Sequence, residues 1–413
     1  MHRAMHRGYD RPMRVALILA AGFLVLFVGG GARFAIGLTF KPLVDEFGWA
    51  RGQLGLAVAL YMVVSAFATL IAGRLADRLG ARTLLVAGMV IGGAGMGLMS
   101  LISAPWHAML LYGLVFAIGN GAASLSTVGV MVTRAVAGRT GMANALVISG
   151  TSVGQLVMIA ALAAALAQIG WRWAFIWLAL AHLALVPLLV LALPKVAYRV
   201  SGAAPHEGLS VREAMRTRRF WQLLAIYAIC GMDDFFVSTH VVAFAQDKGV
   251  DTLLAGNLLA SMGLTALIGI LVAGAFSDRS GPVVATAIAF GARIAAFGLI
   301  AVDQSPVSIA IFALVFGATF LVTAPLAVLF VRDHFGLKHL GMFNGIVNMT
   351  HQIFGAIGAY GGALVFDAAG SYDAVFMFLL VASAIALVLS LTLGRTATVV
   401  DPPSPGAGSN LRS

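Results

Sequence analysis

Charge is what this chain has least of. Asp, Glu, Lys and Arg make up 10% of the 413 residues and hydrophobic residues 61%, where a soluble domain carries roughly 25% charge. That shortage excludes a water-facing surface over most of the chain, so most side chains must face lipid or other helices. Acidic residues are scarcer than basic ones, 16 against 26, for a net charge of +10. A single cysteine, Cys230, excludes an intrachain disulfide. There is no G-x-x-x-x-G-K loop, which excludes ATP as a driving force, and no C-x-x-C or H-E-x-x-H spacing, so neither a resident metal nor a cofactor is expected. Nothing in the pattern supports catalysis, and an enzyme is not expected.

What the chain does have is a repeat. GRLADRLG at 73–80 returns as GAFSDRSG at 274–281, 201 positions later, and GMAN at 141–144 returns as GMFN at 341–344, 200 positions later. Two matches at nearly one offset imply two copies of a unit of roughly 200 residues. Twelve stretches reach the length of about 20 apolar residues that a spanning helix needs. They lie at 14–39, 52–73, 83–104, 107–133, 140–167, 173–193, 220–245, 252–276, 282–302, 306–331, 339–365 and 372–394. The predicted fold is an all-α membrane protein, twelve transmembrane helices in two pseudo-symmetric six-helix halves. The halves are 1–194 and 220–394; the polar, basic segment 195–219 reads as a cytoplasmic linker, and the Pro/Ser/Gly-rich 395–413 as a disordered tail.

Segment 1–13 carries no signal-peptide cleavage pattern, so the first stretch is expected to stay as helix one. With the N-terminus inside, 20 Lys and Arg fall on the cytoplasmic side and only Lys41, Arg51, Arg172 and Lys248 outside. That bias puts both termini in the cytoplasm, and a bacterial inner membrane is the expected location. Nucleic acid is excluded as a partner, because no soluble basic domain exists to bind it. The expected partners are the lipid bilayer, protons and a small solute, with the chain working as a monomer.

The loop GRLADRLGARTLL at 73–85 resembles the signature loop of the major facilitator superfamily, G-x-L-x-D-R-x-G-R/K-R/K, with Arg82 in one late basic position and Ala81 in the other. The resemblance implies that Asp77 and Arg78, and Asp278 and Arg279 in the second copy, lock the cytoplasmic side by holding the neighbouring half. A carboxylate near a helix N-terminus and beside an Arg is favoured on both counts. Four further phrases resemble the monocarboxylate-transporter branch and its bacterial relatives: FKPLVDEFGWARGQLG at 40–55, STHVVAFAQDKGV at 238–250, RDHFG at 332–336 and THQIFGAIGAYGGALVFDAAGSYD at 350–373. Two departures stand beside them. Helix five has Gly150 and Gly154 but lacks the proline of the G-x-x-x-G-P-x-x-G-G stretch of proton-linked drug exporters. Helix eight has no charge, where members of the branch carry an Asp and an Arg that bind the carboxylate and couple the proton.

An ionisable side chain at bilayer depth costs about 3 kcal/mol on insertion scales, so each one is a functional candidate. Arg33, on helix one, falls within one position of the lysine that contacts substrate and proton in the branch the chain resembles. The repeat offset carries 33 to 234, so Arg33 and Asp234 occupy equivalent places in the two halves. They are expected to form a gate or proton-coupling pair, or else a structural ion pair. Asp233 and Asp234 are neighbours on a helix and point about 100° apart, so one cavity should hold only one of them. A buried carboxylate is favoured in its neutral form, and Asp234 is the preferred proton carrier. Arg293 in helix nine reads as a carboxylate anchor, since a guanidinium binds a carboxylate through two parallel hydrogen bonds, or as a structural partner. His351 reads as a proton relay or as a neutral hydrogen-bonding residue, with Gln352 beside it. The resemblance also implies Asn120, flanked by Gly119 and Gly121, as a substrate contact. Ser149, Thr151, Ser152 and Gln155 could line the same cavity, whereas His182 and His240 read as packing or interfacial residues.

These readings converge on a secondary active transporter of a small organic anion, monocarboxylate-like and proton-coupled, working by alternating access of the two halves. Proton-driven efflux of a hydrophobic drug or metabolite is the alternative within transport. A non-transporting membrane sensor would need a soluble output domain, and neither linker nor tail is long enough to supply one.

Overall fold

The computed structural model describes residues 2–135, 140–193, 208–336 and 339–394. Among these, eleven helices are long and apolar enough to cross a membrane: α1 (Met13–Phe47), α2 (Arg51–Ala72), α3 (Ala81–Met99), α4 (Pro105–Gly129), α5 (Leu146–Leu166), α6 (Trp171–Ala192), α7 (Arg218–Asp247), α8 (Thr252–Ala273), α9 (Arg279–Val302), α11 (Gly341–Ala369) and α12 (Asp373–Leu393). A further span, α10, is a pair bent by 41°, Pro306–Phe320 and Pro325–Phe335. Each predicted apolar stretch therefore holds a helix. The predicted end of helix one falls short, because α1 runs on through Lys41, Asp45 and Glu46 to Phe47. Lys41 pairs there with Asp45 one turn on, at 2.9 Å, the spacing at which opposite charges support a helix.

The repeated phrase makes the same turn twice. Gly80 sits at φ 83° and Gly281 at φ 79°, a region that side chains with a Cβ rarely enter. The phrase ends in glycine for that reason in both copies. Part of the linker is described: a short helical turn, Val211–Ala214, capped by Ser210. It is tied to the end of α10 by the Leu209 N–H bond to the Phe335 carbonyl, 2.9 Å. Residues 194–207 and the tail from 395 lie outside the described residues.

The packing also repeats. In the first half α1 lies along α5, and in the second α7 lies along α11; across the halves α2 meets α11 and α5 meets α8. Close approach depends on missing side chains: a Cβ on Gly231 would collide with the carbonyl of His351. Small residues at such crossings let backbones approach closely where lipid provides no hydrophobic drive.

The two ends of the bundle differ. At the end where α1 gives way to α2, here the Arg51 face, residues of both halves form one apolar core, with Phe40, Leu54 and Tyr61 in the same cluster as Phe244, Ala359 and Phe376. At the opposite end, the Gly80 face, each half keeps its own core: Ile18, Leu85 and Val128 in one cluster, Phe220, Phe290 and Phe330 in another.

Candidate functional site

Two arginines lie at depth, and the fold treats them differently. Arg293, brought in by α9, is completely buried. All five of its N–H donors are engaged. Nε bonds the Thr319 hydroxyl at 3.1 Å. Nη1 reaches Asp233 at 3.3 Å and the Cys230 sulfur at 3.6 Å. Nη2 reaches Asp234 at 2.7 Å and the Thr319 carbonyl at 3.2 Å. That carbonyl lies at the end of the first segment of α10, which stops at Phe320; it also accepts from the Val322 N–H at 3.3 Å, so its second lone pair is what takes the guanidinium. The face of Phe316 lies 4.9 Å from the guanidinium carbon. Asp233 also accepts from the Ser383 hydroxyl at 3.0 Å. On the other side of Asp234, Oδ2 meets His351 Nε2 at 3.1 Å and the Cys230 thiol at 3.5 Å.

This arrangement corrects two expectations. Asp234 pairs with Arg293 and His351, not with Arg33; equivalent positions in a repeat are related by symmetry, and that alone does not make them neighbours. Asp233 and Asp234 do not diverge to separate surroundings either, because a forked guanidinium is wide enough to take one carboxylate on each arm. Arg293 is left with no free donor for a substrate carboxylate.

Arg33 is the opposite case. No carboxylate pairs with it among the described residues, and its Nε is buried without a hydrogen-bond partner. Its guanidinium carbon lies 4.6 Å from the centre of the Phe235 ring and 5.5 Å from that of Phe34. Arg33, Met62, Tyr112, Phe235, Ser238 and Thr239 line a cavity of about 10 Å³, room for about one water molecule. The Tyr112 hydroxyl donates to the Arg33 carbonyl at 3.0 Å. Asn120 donates to the Tyr61 hydroxyl at 2.6 Å, and the Tyr61 and Tyr112 ring centres are 4.8 Å apart. Asn120 therefore stands one ring behind the cavity wall. It follows a π-helical stretch of α4, Met109–Phe116, the kind of local widening that often accompanies function.

Phe235 joins the two places. One face lies against Arg33, and its ring centre is 5.5 Å from that of His351 in an edge-to-face contact. The signal for it in the sequence was its place beside Asp234. Nothing in the sequence marked Thr319, Ser383 or Tyr61, which matter only through what they touch.

Gln352 reaches across the halves and donates to the Ser65 hydroxyl at 3.1 Å. Gln155 does likewise, donating to the Leu259 carbonyl at 3.0 Å. Ser149 bonds its own helix. His182 is buried and bonds the Leu178 carbonyl at 2.7 Å, a packing role. Residues 150–154 read GTSVG, the spacing of a hydrolase nucleophile elbow, but they lie within unbroken α5 with no strand-to-helix turn. The side chains of Asp77, Arg78 and Asp278 lie outside the described residues; Arg279 is exposed. Cys230, Asp234 and His351 bring ligand atoms within 4.8 Å of one another. The Arg293 guanidinium touches two of the three, so a positive charge already stands where a metal ion would.

Such a bundle, twelve apolar spans with buried charge between them, is the build of a multi-pass membrane protein. The family model for the Major Facilitator Superfamily matches residues 22–292 and 223–413; the chain belongs to that superfamily and is a transporter, not an enzyme. It is 24% identical over 368 residues to the uncharacterized MFS-type transporter YcxA of Bacillus subtilis, covering 85% of this chain and 88% of that one. It is 24% identical to monocarboxylate transporter 13 of Rattus norvegicus, covering 90% and 88%. The crystal structure of the nucleoside transporter NupG superposes with a TM-score of 0.79 at 13% identity, covering 92% of this chain and 99% of the other. A bacterial homolog of the lysosomal transporter Spinster, in an inward-facing and occupied conformation, gives 0.75 at 16% identity, covering 92% and 97%. These solved structures bear on the fold alone.

Proposed function

We propose that this transporter moves a small organic anion, monocarboxylate-like, together with a proton. The observation that carries the reading is Arg33: a guanidinium within a membrane span, without a carboxylate partner among the described residues, at the edge of a cavity. An unpaired cation in such surroundings is costly unless a ligand meets it. An anion with one or two oxygens matches the guanidinium fork, and the Phe34, Phe235, Met62 and Tyr112 side chains suit an apolar body. Asn120 supports this site through Tyr61. The family resemblance to monocarboxylate transporters supports the same substrate class.

The proton belongs to the cluster behind Phe235. Two carboxylates, Asp233 and Asp234, face one guanidinium, with the Cys230 thiol and the His351 imidazole alongside. With a neutral imidazole the group carries one excess negative charge. Low dielectric penalises that charge, and one proton, shared between Asp234 and His351, removes it. The His351 side chain is 18% exposed and gives the proton a way in. A charge added at His351 acts on the anion at Arg33 through the intervening Phe235 ring, which couples the two events.

Residues 1–194 and 220–394 rock against each other about this site, with the termini in the cytoplasm of a bacterial inner membrane and the chain acting as a monomer. Asp77, Arg78, Asp278 and Arg279 form the cytoplasmic lock. The shared core at the Arg51 face and the separate cores at the Gly80 face support such a cycle, since one end is joined while the other is divided. The test is uptake of labelled short monocarboxylates into proteoliposomes with an imposed inward proton gradient. Saturable uptake abolished by an uncoupler is expected. No uptake, with export of dyes or drugs instead, would replace this reading by hydrophobic efflux.

A further inference from the structure

Three of the four phrases that resemble the monocarboxylate branch meet at one place, and it is not the cavity. Helix α2 opens after Ala50, whose methyl group cannot cap the helix. The cap comes from the other half: the Arg51 and Gly52 N–H groups donate to the two oxygens of Asp367, at 2.8 and 2.6 Å. A carboxylate at a helix N-terminus is favoured by the free N–H groups and by the helix dipole. Asp367 belongs to the last turn of α11.

The Arg51 side chain, 6% exposed, completes the contact. Nη2 meets Asp247 of α7 at 2.6 Å and Nη1 meets the Tyr372 hydroxyl at 2.7 Å, while the guanidinium lies 3.6 Å above the Phe366 ring. Tyr372 then bonds His240 Nδ1 at 3.0 Å, and His240 Nε2 bonds the Ala359 carbonyl at 2.8 Å. A carbonyl only accepts, so Nε2 carries the hydrogen, Nδ1 accepts from Tyr372, and the tyrosine oxygen accepts from Arg51. Donor meets acceptor at each of these steps, and the relay runs from the first half into the second. Asp367 is solvent-exposed and the Asp247 side chain is 22% exposed, so water weakens each contact, as a reversible contact requires.

We propose that Arg51 and Asp367 are positioning residues for transport: together they latch the Arg51 face shut, and releasing them is the step that opens the cavity to that side. The proposal rests on the alternating-access part of the reading above and not on the identity of the anion or on the proton.

Spin labels at Ile169→Cys and Leu253→Cys, exposed residues of different halves near this face, report its opening by pulsed electron resonance distances. A second pair, at Leu79→Cys and Met342→Cys, exposed near the Gly80 face, reports the other end. The buried Cys230 stays unlabelled. In the full-length reconstituted protein, Asp367→Ala, Asp367→Asn and Arg51→Gln should each raise the longer-distance population of the first pair about fivefold, the equivalent of one lost cap; Arg51→Lys, which keeps charge but loses the fork, should raise it less. The longer-distance population of the second pair should fall in step. If the second pair samples two distances while the first is unmoved by all four variants, the latch is wrong and alternating access survives. If neither pair samples two distances in any of the proteins, alternating access itself fails.

Discussion

Arg33 and Arg293 are the same side chain, each within a membrane span of one bundle, yet they differ in every respect that bears on function. Arg293 has two carboxylates, a hydroxyl, a carbonyl and a thiol around it and no exposed surface. Arg33 has aromatic faces and an unsatisfied Nε. An intramembrane charge marks a functional region, but the list of its partners decides whether it holds the protein together or waits for a ligand.

That contrast can be broken by substitution, most severely at Arg293. Arg293→Leu strands two buried carboxylates, and removing one partner of a buried pair costs about 3–5 kcal/mol. The variant should not yield folded protein by size-exclusion and thermal unfolding. Adding Asp233→Asn and Asp234→Asn to it should restore folding. A well-folded single variant would show that the pairing is dispensable.

Arg33→Gln should do the reverse. It breaks no ion pair, so unfolding temperature should hardly move, while anion uptake should fall by about 100-fold, the loss of one charge-assisted bidentate contact of about 3 kcal/mol. Uptake kinetics in proteoliposomes decide it; unchanged uptake would remove the anion from this cavity.

Asp234→Asn tests the proton. One coupled proton contributes about tenfold accumulation per pH unit of gradient. The variant should lose that gain and yet keep exchange of anion for anion, which needs no net proton movement. Equal accumulation in variant and parent would place the proton elsewhere. Phe235→Leu removes the ring between the two sites; loss of a cation–π contact of about 1 kcal/mol should raise the KM for the anion about fivefold. The smallest effect should come from Asn120→Leu, which loses one hydrogen bond to Tyr61, worth about 1 kcal/mol, and should raise KM by a few fold without changing the proton dependence.

Much of the fold was legible in advance because its signals are local. Twelve apolar stretches set the spans, since lipid tolerates only backbones that satisfy themselves. The two glycine-ended phrases marked equivalent turns, and Gly80 and Gly281 share a positive φ for the same steric reason. The candidate site was legible only as an inventory. Arg33, Asp233, Asp234, Arg293 and His351 stand out as charges or imidazoles in apolar runs, yet the expected pairing of Arg33 with Asp234 was wrong, because a repeat offset reports symmetry and not distance. Arg51, Asp247, Asp367 and Tyr372 drew no notice individually, being polar residues at helix ends where polar residues are ordinary.

The sequence by itself determined that this chain crosses a membrane in two related sets of helices, and which few ionisable groups the bilayer must hold, because both follow from the transfer energy of side chains taken one stretch at a time. Only the tertiary structure decided which of those groups meet. That depends on crossings such as α7 against α11 at Gly231, where a single absent Cβ brings His351 to Asp234 and leaves Arg33 alone beside Phe235.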